Sequence, residues 1–542
     1  MQALRLSLVA ALLSLAAAAP PGPPPPPRGS PKPACCPANT VNLPQGPVRG
    51  FADDSGNSVF LGIPFAATTG GQNRWKAPQP VPKAAPGVTF DATSYGPTCP
   101  QAIRDPTFTR QDENCLNLNI WAPAGAKNLP VFVYMYGGAM VTGSNSNPQI
   151  QGSNFARNGV IYVNFNTRES IWAYPNSGAL GPSQNFGILD VNQALDWVHD
   201  NIAAFGGDPN HIVFGGHSSG SVQVDHYLWN HPSTFLKGAV QMSANAESGP
   251  AYAPRNEAMD AVAAEVGCPS FAAGGQLECM RNVDFLKMET SFFNSTSNTW
   301  FTPTIDDVTR FSNYPARFAQ GKYASQVPLL TGTSNGEGTI FSLVYGFENS
   351  NFSSWINTFD ADSQHIPDAD LIAAYPPSEF GNSDPARSGA QYGDARFNCP
   401  VDYLLDLRVQ KQPTWVYRFF GAYDNVVGGP PGTAPTHGTE VPFFHGGNEC
   451  FSSLSGVTAE EQALADAIFG WFVQWIKNPA AGPGWAPVTT TKTGPLVKLG
   501  VPGDELTRIP ATRQEFNARC QSVYAPNFPK YPVVQSIKSL LP

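Results

Sequence analysis

The chain has 542 residues, with 32 Lys and Arg against 41 Asp and Glu, giving a formal net charge of −9. It contains no run of basic residues able to follow a phosphate backbone, which argues against nucleic acid as a partner. No internal repeat, second long apolar segment or C-terminal lipidation signal is found, which argues against a repeat array or a membrane anchor.

In chain order, Met1 to Ala19 carries one early cation, Arg5, and then an apolar run from Leu6 to Ala19 that ends in small residues. A bilayer span needs about 20 apolar residues, so residues 1–19 read as a cleaved secretory signal and predict a secreted, extracellular protein. Residues 20–36 form a Pro-rich tether with no capacity to bury a core. Residues 37–542 show no linker or charge block, and one large domain is expected.

Short apolar β-type runs recur at Val131–Met135, Val160–Val163, Ile212–Phe214, Ala239–Met242, Val327–Leu330 and Trp415–Phe420. Unbroken apolar strands are expected where helices cover both faces of a mostly parallel sheet, so the fold class is α/β. Between them, Leu195, Val198, Ile202 and Phe205 share one helical face. Gly206-Gly207-Asp208-Pro209 is expected to stop that helix before the next strand.

Gly216-His217-Ser218-Ser219-Gly220 follows that strand and opens a segment without Pro until Pro232. Gly-x-Ser-x-Gly between strand and helix describes a nucleophile elbow, a tight turn that exposes Ser218 Oγ above the sheet. A serine hydroxyl needs a base oriented by a carboxylate, and in an α/β-hydrolase order both follow it in the chain. Of the downstream histidines, His437 lies in a loop after a strand and is favoured over His365 and His445. For the acid, Glu337 lies in a Gly-flanked turn after Val327–Leu330 and is favoured over Asp306 and Asp307. The oxyanion donors are expected from Ser219, just after the nucleophile, and from Gly137 and Gly138 after Val131–Met135. The His437-Gly438-Thr439-Glu440 stretch lacks zinc-ligand spacing, since Val441 stands where a second His would be needed, so neither metal nor cofactor is expected.

Taken together, these residues resemble the type-B carboxylesterase family of cholinesterases, fungal lipases and the non-catalytic neuroligins. The resemblance also rests on Phe60-Leu61-Gly62-Ile63-Pro64-Phe65-Ala66, on Glu113-Asn114-Cys115-Leu116 and on Asn201 to Pro209. It implies an α/β-hydrolase fold, with Ser218 as nucleophile, Glu337 as acid, His437 as base, and Gly137, Gly138 and Ser219 as oxyanion donors. It implies disulfides Cys99–Cys115, Cys268–Cys279 and Cys399–Cys520, leaving Cys35, Cys36 and Cys450 unassigned. Asn294 and Asn351 begin glycosylation sequons. Three positions depart from the family pattern: Tyr136 replaces a His, His217 a Glu and Asn114 an Asp. His217 is not expected to act as base, because an elbow points neighbouring side chains apart. The activity implied is a secreted serine carboxylic-ester hydrolase acting through an acyl-enzyme on small uncharged esters, with a lipase, sterol esterase or feruloyl esterase as alternatives. A complete triad argues against an adhesion protein of neuroligin type.

Overall fold

In the computed structural model, the described residues are 39–101, 105, 107–248, 256–294, 301–344, 351–356, 366–409, 411–427, 432 and 435–528. The leader, the tether, Cys35, Cys36 and His365 lie outside them, as do Ser295 and Thr296 of the first sequon. Asn351 is described and exposed, and its side chain caps the short helix Phe352–Trp355 by accepting from Ser354 N.

The strands are β1 (Thr40–Leu43), β2 (Gly46–Arg49), β3 (Phe51–Ala52), β4 (Ser58–Pro64), β5 (Phe90–Asp91), β6 (Asn117–Ala122) and β7 (Leu129–Met135). They continue with β8 (Ile161–Phe165), β9 (Gly207–His217), β10 (Leu236–Met242), β11 (Leu329–Ser334), β12 (Thr414–Phe419), β13 (Pro495–Leu499) and β14 (Ile509–Thr512). Eleven of them form one sheet in the order β14-β13-β12-β11-β10-β9-β7-β8-β6-β4-β3. From β8 to β13 every neighbouring pair is parallel; β14 and the β6-β4-β3 edge run antiparallel.

The central strands are apolar on both faces because both faces are covered. Val133 pairs with Phe214 and Phe132 with Val213, so Phe132 and Phe214 point to opposite sides. Phe214 meets Tyr227 of the helix Ser219–Asn230 at 6.0 Å between ring centroids. Phe132 meets Phe472 of the helix Ala459–Lys477 edge-on at 5.3 Å. Burying such rings on each side is the main source of sheet stability.

The helix predicted around Leu195 and Val198 spans Phe186–Asn201 and tightens into a 3-10 turn over Ile202–Phe205. Gly206 alone supplies its left-handed stop, at φ 86°. The expected stop through Pro209 is therefore corrected: Gly207, Asp208 and Pro209 already belong to β9. Gly207 enters the sheet there because a Cβ would lie 2.7 Å from Ile202 Cγ1.

Disulfide bonds join Cys99 to Cys115, Cys268 to Cys279 and Cys399 to Cys520. Cys450 is a free, buried thiol.

Candidate functional site

The elbow lies at the carboxyl end of β9, where parallel strands present their ligand-binding edge. Ser218 has φ 54° and ψ −124°, a region that side-chain-bearing residues rarely adopt, at a cost of about 1–3 kcal/mol. The strain is held by a 2.8 Å hydrogen bond from Ser218 N to Met242 O of β10. The flanking glycines are required by close approach. A Cβ on Gly216 would lie 2.5 Å from Gly220 C, and one on Gly220 would lie 2.3 Å from Met135 O. The helix Ser219–Asn230 can therefore start directly against the end of β7.

The loop after β7 closes over the elbow. A Cβ on Gly137 would fall 2.8 Å from Ser218 Cβ, which places the Gly137 backbone directly beside the serine. Among the described residues, neither Gly137 nor Gly138 donates its amide to a backbone or side-chain acceptor. Ser219 N is also free of intrahelical acceptors, as first-turn amides are. Tyr136 anchors this loop from below: its hydroxyl accepts from Thr167 N at 3.3 Å and hydrogen-bonds Glu169. Glu169 is fully buried, which raises its carboxyl well above the ordinary range and favours the neutral acid.

The loops that carry Glu337 and His437 are joined backbone to backbone. Gly336 bridges to Thr436, and Thr436 Oγ1 accepts from Ile340 N at 3.1 Å. His437 Nδ1 donates to Glu337 Oε2 at 2.5 Å, and Glu337 Oε1 accepts from Ser334 N at 2.6 Å. Burial pushes Glu337 up, opposed by the Ser243 hydroxyl, the Ser334 amide and the Arg418 charge; burial pushes His437 down, opposed by Glu440. Arg418, on β12, donates to Thr333 Oγ1 and Asn398 Oδ1 at 2.6 Å each and so steadies the strand end that carries Glu337. His437 Nε2 is buried and has no hydrogen-bond partner among the described residues. It is the ring's one free proton acceptor, because Nδ1 is committed to Glu337.

The rival candidates are engaged elsewhere. Asp306 caps its own turn through the amides of Val308, Thr309 and Arg310, and Asp307 binds Ser312. His445 is buried with Nδ1 on Val441 O at 2.8 Å and Nε2 near Tyr162 Oη at 3.2 Å.

Three features of the site were not read from the sequence. His217 is not turned away from the chemistry: its ring lies against His437, 4.5 Å between centroids, although it contacts no carboxylate by hydrogen bond. The correction has a simple cause, since the bend that exposes Ser218 also swings the preceding side chain beneath the base loop. Glu440 is fully buried behind the site and accepts from Ser243 Oγ at 2.8 Å and Ser334 Oγ at 2.7 Å. Finally, Phe397 stacks on His437 at 4.3 Å, with Phe341 5.4 Å away. These two rings join an apolar cluster containing Met140, Trp172, Val222 and Phe301. The only hint in the sequence was the Phe-rich composition.

Comparison with known proteins shows the family. The family model described as "Carboxylesterase family" matches residues 37–520. The chain is 30% identical to a para-nitrobenzyl esterase of Bacillus subtilis (strain 168), over 81% of this chain and 90% of that enzyme. It is 31% identical to a chlorogenic acid esterase of Aspergillus niger, over 54% of this chain and 61% of that enzyme. The solved structure of a PNB esterase superposes with a TM-score of 0.69 at 25% identity, covering 85% of this chain and 96% of that one.

Proposed function

Because this chain belongs to the carboxylesterase family and is a carboxylic ester hydrolase, we propose that Ser218, His437 and Glu337 carry the reaction through an acyl-enzyme on small uncharged esters. The observation that carries this reading is the 2.5 Å bond from His437 Nδ1 to Glu337, which leaves Nε2 as an unpartnered acceptor in a loop closed against the elbow. In the first half-reaction Nε2 takes the Ser218 proton as Oγ attacks the ester carbonyl, and it then protonates the departing alcohol. The Gly137, Gly138 and Ser219 amides receive the oxyanion. In the second, Nε2 takes a proton from water as it attacks the acyl carbonyl, and returns that proton to Oγ as the bond to Ser218 breaks and the carboxylic acid leaves. Glu337 holds the tautomer and offsets the imidazolium charge.

Phe397 and Phe341, whose rings lie against His437, support an apolar acyl or alcohol group over a charged one. The same aromatic wall, together with the likeness to a chlorogenic acid esterase, supports a second reading as a cinnamoyl-ester hydrolase. The apolar leader, the three disulfides and the sequon at exposed Asn351 support an extracellular location, glycosylated at Asn351 and Asn294. A panel of p-nitrophenyl esters from acetate to palmitate, with methyl ferulate and butyrylcholine, tests the reading. Short uncharged esters are expected to have the highest kcat/KM and butyrylcholine the lowest. A feruloyl ester above all of them moves the assignment to the cinnamoyl branch, and no turnover of any ester refutes it.

A further inference from the structure

His217 fills a gap between the Gly137 loop and the loop that carries His437. It is 8% exposed. Its Nδ1 lies 3.1 Å from where a Cβ of Gly137 would stand, and its Cε1 lies 3.3 Å from the equivalent point on Gly438. One edge thus touches the oxyanion loop and another the base loop, while the ring rests on His437 at 4.5 Å with an interplanar angle of 40°. His217 Nε2 is buried without a partner among the described residues.

The charged and titratable groups around the two rings come from several elements. Glu337, from the turn after β11, bonds His437 and is backed by Arg418 of β12. Glu440, next to the helix Val441–Phe444, raises both imidazoles, although two serine hydroxyls already occupy its oxygens. His445, at the end of that helix, lowers His217. Tyr134 of β7 and Tyr417 of β12 lie near Glu440, and burial keeps both phenols neutral. Among the described residues, the carboxylate hydrogen-bonded to His437 is Glu337, at Nδ1, and none is hydrogen-bonded to His217.

We propose that His217 is a positioning residue: its uncharged ring occupies the face of His437 where a carboxylate would hold the imidazolium, so the base stays unprotonated, and ester hydrolysis runs, at acidic pH. The proposal rests on reading His437 as the general base. Two imidazolium rings at 4.5 Å repel, so the pair takes up its protons one at a time, as coupled sites do. Burial opposes even the first: it pushes His217 down to about 3 and His437 to about 4. A base works only when unprotonated, so activity is present above the His437 value and lost as pH falls through it. A carboxylate at position 217 would instead stabilise the His437 imidazolium. An opposite charge within about 4–6 Å typically moves a pKa by about 1–3 units, so the acid limb would rise toward neutrality.

The experiment compares pH profiles of kcat/KM on p-nitrophenyl butyrate for the full chain, His217→Glu and His217→Gln, normalised to sites titrated with a fluorophosphonate. The unmodified enzyme is expected to have its acid limb below about pH 5, well under the free-imidazole value of about 6.5. His217→Glu is expected to move the limb up by about one unit or more, and His217→Gln, which adds no charge, by less than about half a unit. A limb in His217→Glu that coincides with the unmodified enzyme overturns the proposal, as does an equal shift in both variants. Should His217→Glu not fold, the pH dependence of fluorophosphonate labelling in the unmodified enzyme decides, and a limb at or above about 6.5 refutes the proposal. Failure of the underlying reading shows up separately, as undiminished activity in His437→Ala.

Discussion

Gly137→Ala tests the proposed oxyanion role of the loop after β7. Gly137 does not have a positive φ, so alanine meets no backbone penalty there and acts by bulk alone. Its methyl would sit 2.8 Å from Ser218 Cβ and 2.9 Å from His217 O, against a carbon contact distance of about 3.5 Å. Neither neighbour can yield: Ser218 is fixed by its bond to Met242 O, and His217 ends a central strand. The loop must therefore move by about 0.7 Å, a displacement comparable with the tolerance of an oxyanion hydrogen bond. Loss or misplacement of one such donor costs about 10²–10³ in rate, or about 3–4 kcal/mol of transition-state stabilisation. Hydrolysis of p-nitrophenyl butyrate is expected to fall by that factor in kcat, with KM within a few-fold and the thermal midpoint close to that of the parent. Retention of more than about a tenth of kcat, with all sites titratable, would show that Gly137 N lies outside the reaction.

Ser218→Ala and His437→Ala are each expected to lower kcat by up to about a million-fold, and Glu337→Gln by less, because triad members act as a unit; residual activity above about one hundredth in Ser218→Ala removes it as nucleophile. Arg408 Nη2 donates to both oxygens of Asp225, at 2.7 and 2.8 Å, in a fully buried pair, so Arg408→Leu should cost about 3–5 kcal/mol in urea unfolding by removing the counter-charge of a buried carboxylate. An Arg408→Leu/Asp225→Leu double variant should recover part of it, and an unchanged midpoint in the single variant contradicts the account. Opening Cys399–Cys520, which spans 121 residues, by Cys399→Ser should cost about 4–5 kcal/mol in the chain-entropy model, read from guanidinium midpoints; a loss under about 1 kcal/mol goes against it. The Cys99–Cys115 loop spans only 16 residues and offers little apolar surface to oil, so tributyrin hydrolysis should rise smoothly through the solubility limit, whereas a jump on droplet formation points to a lipase.

How much of this was legible in the sequence depends on how local the determinants are. Ser218 was legible because the elbow is written in five consecutive residues, whose glycines answer contacts within one turn of chain. His437 and Glu337 were reachable because parallel strands deliver their loops to one edge, so position after a strand stands in for position in space. The antiparallel edge was not read: β6 carries buried Asn117 and Asn119, whose amides bond Pro97 O and Asn164, and such polar residues mask a strand pattern. Glu440 was passed over because its two hydroxyl partners, Ser243 and Ser334, sit about 200 and 100 residues upstream. The His217–His437 contact could not be read either, since it depends on the direction in which the Ser218 bend throws the preceding ring, and no residue nearby in sequence records that.

The bond from Ser218 N to Met242 O has a consequence for the birth of the enzyme. The left-handed bend at the serine is secured by a strand that is synthesised after it, and the proposed proton acceptor, His437, arrives about 200 residues later still, in a loop that bridges to Gly336. A growing or unfolded chain therefore carries the serine for most of its length as an ordinary alcohol, inert toward esters and toward serine-directed inhibitors alike. On the proposed assignment, reactivity requires both contacts, so covalent labelling by a fluorophosphonate reports on the completion of folding at this edge of the sheet.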